Sequence, residues 1–214
     1  MPRHDPSEKT KKEILDTAIH LFRENGWDNV NIEDIVAAVG VTRGAFYHYF
    51  KSREALIIAV IDQVFYDDNP FILASKQEGL NALERLRFAL ATTIGSDFND
   101  TGIVKELRKA ISNPVIFKSE LFSTLNTLSP YIEKLIVEGN EDGSMSVPYP
   151  KQAAQSFSLL FSIWLSPFVF TVSHQGFADK VFYLEYLGKQ IGIPVINDEL
   201  KELIFKQYEF HMKN

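Results

Sequence analysis

Apolar residues return along this chain at intervals of three and four, the spacing of one helix face, and no stretch shows the alternation of a half-buried strand. The fold class this allows is all-α. A first helix is expected over residues 7–25, with Ile14, Leu15, Ala18, Leu21 and Phe22 on one face and Gly26 as its stop. Asn31 then caps a two-turn helix, IEDIVAAV, ended by Gly40; Thr42 caps the next; Ser52 caps a longer one that stops before Pro70. Further helices are expected at about 79–95, 101–112, 114–139, 150–173, 178–190 and 197–212, between segments rich in Gly, Pro, Asn, Asp and Ser. Helices before residue 70 are short and those after it long and aromatic-rich. The expected organisation is a small domain at 1–54 followed by a larger helical domain at 55–214.

Composition narrows the classes of function. With 214 residues and 45% apolar side chains the chain can bury a sizeable core. It has no cysteine, which removes disulfides, thiolate nucleophiles and cysteine-based zinc sites, and no apolar stretch follows the charges of the N-terminus. A cytoplasmic protein is the expectation. The segment 152–178 carries no charge, but Gln152, Gln155, its serines and Pro167 interrupt it, so a buried helix is expected there and no membrane span. A net charge of −6 argues against non-specific coating of nucleic acid, and residues 1–55 hold eight Lys and Arg against nine Asp and Glu. Any basic surface must be local.

The stretch GVTRGAFYHYFKSREAL poses the sharpest question, because glycine is a poor helix former and Gly44 opens a helix. Two capped helices joined across AVGVT make a helix-turn-helix candidate, whose second helix enters a major groove. On a helical wheel Phe46, Tyr49 and Phe50 fall on one side, and Arg43, Gly44, Tyr47, His48 and Lys51 on the other. Phe46 and Phe50 are expected to build a core with Ile35, Val39 and Leu21. Tyr47 and His48 can donate to phosphate, Lys51 and Arg53 add charge, and the capped ends at Asn31 and Thr42 present positive dipole ends. Arg43 is the candidate for reading a guanine edge. A missing side chain at position 44 lets the helix start lie close to DNA.

Residues 14–56, ILDTAIHLFRENGWDNVNIEDIVAAVGVTRGAFYHYFKSREAL, resemble the DNA-binding domain of the TetR family of transcriptional regulators. The resemblance rests on the A-x-x-L-F-x-x-x-G-[YW] stretch from Ala18 to Trp27, the D-I-V-A-A-V-G-V-[ST] turn and the G-x-[FL]-Y-x-[YH]-F-x-[ST]-[KR]-E-x-L run. It implies that Asn31, Thr42, Arg43, Gly44, Tyr47, His48, Lys51 and Arg53 stand at operator-contacting positions. Asparagine at 31 replaces a common threonine and caps as well. The remaining chain resembles the family only in its helix plan, so no ligand residue is carried over.

The reading that follows is a homodimeric repressor released from a palindromic double-stranded operator by a small effector. For the dimer, the helix at 150–173 with a helix following it is expected to form the interface, where Ser158, Ser162 and Ser166 make a small-residue stripe that allows close helix approach across a two-fold axis. For the effector, a small hydrophobic or aromatic molecule is expected against Phe161, Trp164 and Phe168, since most of the chain's phenylalanines and tyrosines follow Pro70. The alternative there is a filled aromatic core. Two rival functions stay open: an all-α enzyme and a helical protein-binding adaptor. No histidine has glutamate three positions before it and there is no H-E-x-x-H, so no catalytic residue, metal or cofactor is assigned. The acidic pairs Asp67–Asp68 and Glu141–Asp142 read as solvated turn residues.

Overall fold

The computed structural model describes residues 6–66, 69–96, 106 and 109–213. Among these the regular structure is helical throughout. Contacts divide the chain into two compact units, residues 1–67 with 100–116, and residues 68–99 with 117–214.

The first unit holds α1 (Pro6–Asn25), a single 3-10 turn (Trp27–Asn29), α2 (Ile32–Val39), α3 (Arg43–Tyr49) and α4 (Arg53–Tyr66). Helices as short as α2 and α3 are marginal alone, so they persist by burying an apolar face. Ile14, Ala18 and Phe22 of α1, Ile35 of α2, Phe46 of α3 and Leu56, Ile57 and Val60 of α4 are almost wholly removed from solvent in one cluster, with Leu21 and Val39 packed against it. Ser52 starts α4 by accepting from the Ala55 amide at 3.1 Å. The boundary expected at residue 54 cuts through this cluster. The contact division falls after 67 because α4 supplies core side chains, and Ala110 and Ile116 join the same core.

The second unit contains α5 (Pro70–Ser75), α6 (Ala82–Ser96), α7 (Pro114–Ser123, entering from the first unit), α8 (Ser129–Asp142), α9 (Pro150–Leu159), α10 (His174–Gln190) and α11 (Asp198–Lys213). Asn81 and Glu84 cap α6 reciprocally at 2.9 Å, and Asp142 accepts from the Ala82 amide at 2.8 Å. Arg87 donates to the carbonyls of Pro194 and Val195, fixing the 191–197 connection against α6. Leu86, Leu90, Ile136, Phe157, Val181 and Leu184 lie at the centre of the core.

Three expectations change here. The short helix α5 was not foreseen, although Asn69 caps it and Pro70 takes its first position. The helix expected over 150–173 ends at Trp164. Its last turn, Leu160–Trp164, is a π-turn closed by the Leu165 amide donating to the Leu160 carbonyl at 2.9 Å, and 165–173 are not helical. A second π-turn, Thr124–Leu128, joins α7 to α8. Most of the helix expected at 101–112, and the pair Asp67–Asp68, lie outside the described residues. No helix among the described residues is long and apolar enough to cross a membrane.

Candidate nucleic-acid interface

Gly40 sets the turn between α2 and α3 by ending α2 at φ 77°, ψ 27°, a left-handed conformation that strains any residue with a Cβ. The amides of Gly40 and Val41 both donate to the Val36 carbonyl, at 3.0 and 3.1 Å, so the helix end is closed and the exit direction fixed. Thr42 then starts α3 by accepting from the Ala45 amide at 3.1 Å. At the start of α2, Asn31 accepts from the Asp34 amide and Asp34 accepts from the Asn31 amide, both at 2.9 Å, a reciprocal cap.

These caps hold α3 so that its aromatic run splits between two faces. Phe46 and Phe50 point inward, their ring centroids 5.7 Å apart. Asn31, Thr42, Arg43, Gly44, His48 and Lys51 are exposed, and Tyr47 is half-buried with its ring edge-on to Phe46. Lys51 donates to the Tyr47 carbonyl at 3.2 Å, at the negative end of α3. Arg43 pairs with Glu33 at 2.8 Å; its hydrogen bond to Tyr47, and next the Glu33 charge, hold the guanidinium above its ordinary pKa.

Gly44 is the informative position. Apart from its chain neighbours and the backbone of its own helix, the nearest atom a Cβ there would meet among the described residues is Thr42 Oγ1 at 3.9 Å, an ordinary contact. The domain has room for a side chain and leaves it out.

Arg53 is half-buried and engaged within the unit. Its Nε donates to the Val30 carbonyl at 3.2 Å, Nη2 donates to the Trp27 carbonyl, and the guanidinium carbon lies 4.9 Å from the Trp27 ring centroid. The charge ties the 27–30 segment to α4, so Arg53 has a structural role within this unit. Its partners lie 23 and 26 positions away, and no local pattern announces them.

In the second unit the serine stripe does not survive as drawn. Ser158 is fully buried in its own protomer and donates to the Ala154 carbonyl at 2.7 Å; Ser162 and Ser166 are half-buried. The wheel fails because the π-turn advances each residue by less than an α-turn does, and Ser166 lies beyond the helix. The same slip separates the expected effector residues. Phe161 stacks on Phe157 at 5.7 Å, Trp164 lies under the Lys180 ammonium at 4.9 Å and edge-on to Tyr183, and Phe168 meets His211. Sequence reasoning missed two features. On α10, Phe182, Tyr183 and Tyr186 are each more than half exposed, and Thr124, in the π-turn between α7 and α8, is 1% exposed with no hydrogen-bond partner for its hydroxyl among the described residues.

Comparison with known proteins places these observations. Residues 14–60 match the family described as bacterial regulatory proteins, tetR family. The HTH-type transcriptional regulator YuxN of Bacillus subtilis (strain 168) is 35% identical over 71 residues, which is 32% of this chain and 24% of that protein. The chain thus spans about a quarter of the length of that curated relative. Among solved structures, RolR in complex with resorcinol has a TM-score of 0.65 at 19% identity, covering 92% of this chain and 94% of that one. FadR of Thermus thermophilus, a TetR-family repressor in complex with lauroyl-CoA, has a TM-score of 0.60 at 16% identity over 94% and 93% of the two chains. At these identities the structural likeness concerns the fold.

Proposed function

Because the chain belongs to the TetR family through its N-terminal domain, we propose that it is a sequence-specific regulator of transcription, a homodimer that binds a palindromic double-stranded operator through α3 and is released by a small effector. It is a regulator and not an enzyme. The observation that carries the DNA-binding reading is Gly44. A glycine inside a helix costs about 0.5–1 kcal/mol relative to alanine, and nothing within the domain requires it. An external surface that must approach the start of α3 closely supplies the reason, and the exposed Arg43, His48 and Lys51 around it suit a phosphate-lined groove.

The homodimer reading rests on α10. Phe182, Tyr183 and Tyr186 present an aromatic surface that a second copy would cover, and covering apolar area is what stabilises association. Of the expected pair, the helix at 150–173 and one following it, α10 supplies the exposed surface, with Ser162 and Ser166 beside the two-fold axis.

The effector reading rests on Thr124. A buried hydroxyl without a partner costs about 1–3 kcal/mol, and a ligand that hydrogen-bonds to it removes that cost. RolR binds resorcinol and FadR lauroyl-CoA; both pair apolar surface with hydrogen-bonding groups, the chemistry proposed here for the effector. Reciprocity requires that an effector which weakens operator binding by some factor bind the DNA-free protein more tightly by the same factor. Selection from random duplexes with the purified protein tests the reading. Enrichment of a palindrome is expected; recovery of no duplex sequence would favour the adaptor instead.

A further inference from the structure

Of Arg43, His48 and Lys51, the exposed cations of the candidate interface, only Arg43 is paired with an acid among the described residues. Arg43 is the first residue of α3 and Glu33 the second of α2, so the helix-turn-helix geometry brings them together across ten positions: Arg43 Nη1 and Glu33 Oε1 lie 2.8 Å apart, with both side chains more than half exposed. On its other side the guanidinium carbon is 5.7 Å from the centroid of the Tyr47 ring. The arginine is thus held between a carboxylate and an aromatic ring.

An exposed ion pair adds little to folding because solvent screens it, so stability is a poor reason for the pair. An acid on a surface meant for phosphates is also unfavourable to binding any DNA. A carboxylate kept there despite that repulsion has a use if it acts on the arginine. An unrestrained arginine on a long flexible stem will take whichever phosphate is nearest, a contact that carries no sequence information. Sequence is read when the guanidinium fork is aimed at the O6 and N7 of a guanine.

We propose that Glu33 is a positioning residue for sequence discrimination: it holds Arg43 against Tyr47 and away from the phosphates, so that its fork is presented to a base edge. This rests on the DNA-binding reading above. Glu33 therefore lowers affinity for every duplex through its charge and raises the ratio of operator to random-sequence affinity through Arg43.

The test is equilibrium binding of the full-length protein and Glu33→Gln to a selected operator and to a random duplex, with selection repeated on the variant. The expected result is random-duplex affinity raised severalfold, an operator-to-random ratio reduced about tenfold, and lost preference at one base pair per half-site. In an Arg43→Ala background the same substitution should leave the ratio unchanged, because there is no fork to aim. Glu33 is exposed and in no core cluster, and an unchanged thermal midpoint would separate these effects from misfolding. An unchanged ratio and unchanged base preference would overturn the proposal while leaving the DNA-binding reading intact. Failure of the parent protein to enrich any duplex would remove that reading first. A reduced ratio that persists in the Arg43→Ala background would also overturn it, since Glu33 would then act without Arg43.

Discussion

Arg53 lies over Trp27, its guanidinium carbon 4.9 Å from the ring centroid, while the same group donates to the carbonyls of Trp27 and Val30. A cation–π contact of about 0.5–1 kcal/mol joined to hydrogen bonds from a charged donor, each about 1.5–3 kcal/mol, makes this a considerable tether. Because the group is only half-buried and water offsets part of these contacts, Arg53→Ala should lower unfolding free energy by less than their sum, about 2–3 kcal/mol, read as an earlier denaturant midpoint. Exposed Lys51 supplies the contrast: Lys51→Ala should leave stability nearly unchanged and reduce the slope of log affinity against log salt by about one. If Arg53→Ala instead kept full stability and lost a unit of salt slope, Arg53 would be a phosphate contact after all.

What could be read in the sequence was what short-range chemistry decides. Asn31, Gly40, Thr42 and Ser52 each act on a partner a few residues away, and the structure bears out their caps and stops. The split of Phe46 and Phe50 from His48 and Lys51 needs only an α-helical period. Less legible was what tertiary partners or a changed period decide. Arg53 is claimed by carbonyls over twenty residues away. The 150–173 helix stops at a π-turn whose residues, LFSIW, look like any apolar helix turn, and Ser158 turns inward as a result of packing. Asn69–Pro70 carried a helix start in plain view, but the proline read as a stop for the helix before it.

Charge on the exposed face of α10 should break the dimer and spare the protomer. Tyr183→Asp together with Tyr186→Asp is expected to give monomers of unchanged helical content by sedimentation and circular dichroism, with operator affinity reduced by at least about a hundredfold because a half-site contact remains. Ser158→Asp should behave differently. A charge there is buried without a partner and should destabilise the protomer itself by about 3 kcal/mol or more. A dimer surviving both tyrosine changes would exclude this face.

Asp142 links pH to the second unit. Its hydrogen bonds, first with the Ser144 hydroxyl and then with the Ala82 and Ser144 amides, hold its carboxyl below the ordinary 3.8. A depressed folded pKa contributes stability that is fully present above the unfolded value and is lost as pH falls through the folded one. The stability difference between the protein and Asp142→Asn should therefore be constant from neutral pH down to about 4 and shrink below that. A difference that held constant to pH 2 would show the cap does not depend on the charge.

Gly44→Ala tests the central claim most directly, because it separates what the fold needs from what a DNA surface needs. A Cβ at position 44 meets only Thr42 Oγ1 at 3.9 Å, so alanine should fold as well as glycine and gain up to about 1 kcal/mol from its helix propensity. Thermal unfolding and operator titration are measured on the same preparation. The predicted result is an equal or higher midpoint with operator affinity at least about tenfold weaker, as a methyl group intrudes where the start of α3 meets the groove. Equal stability with undiminished operator affinity would contradict the account, since the glycine would then answer to nothing outside the domain.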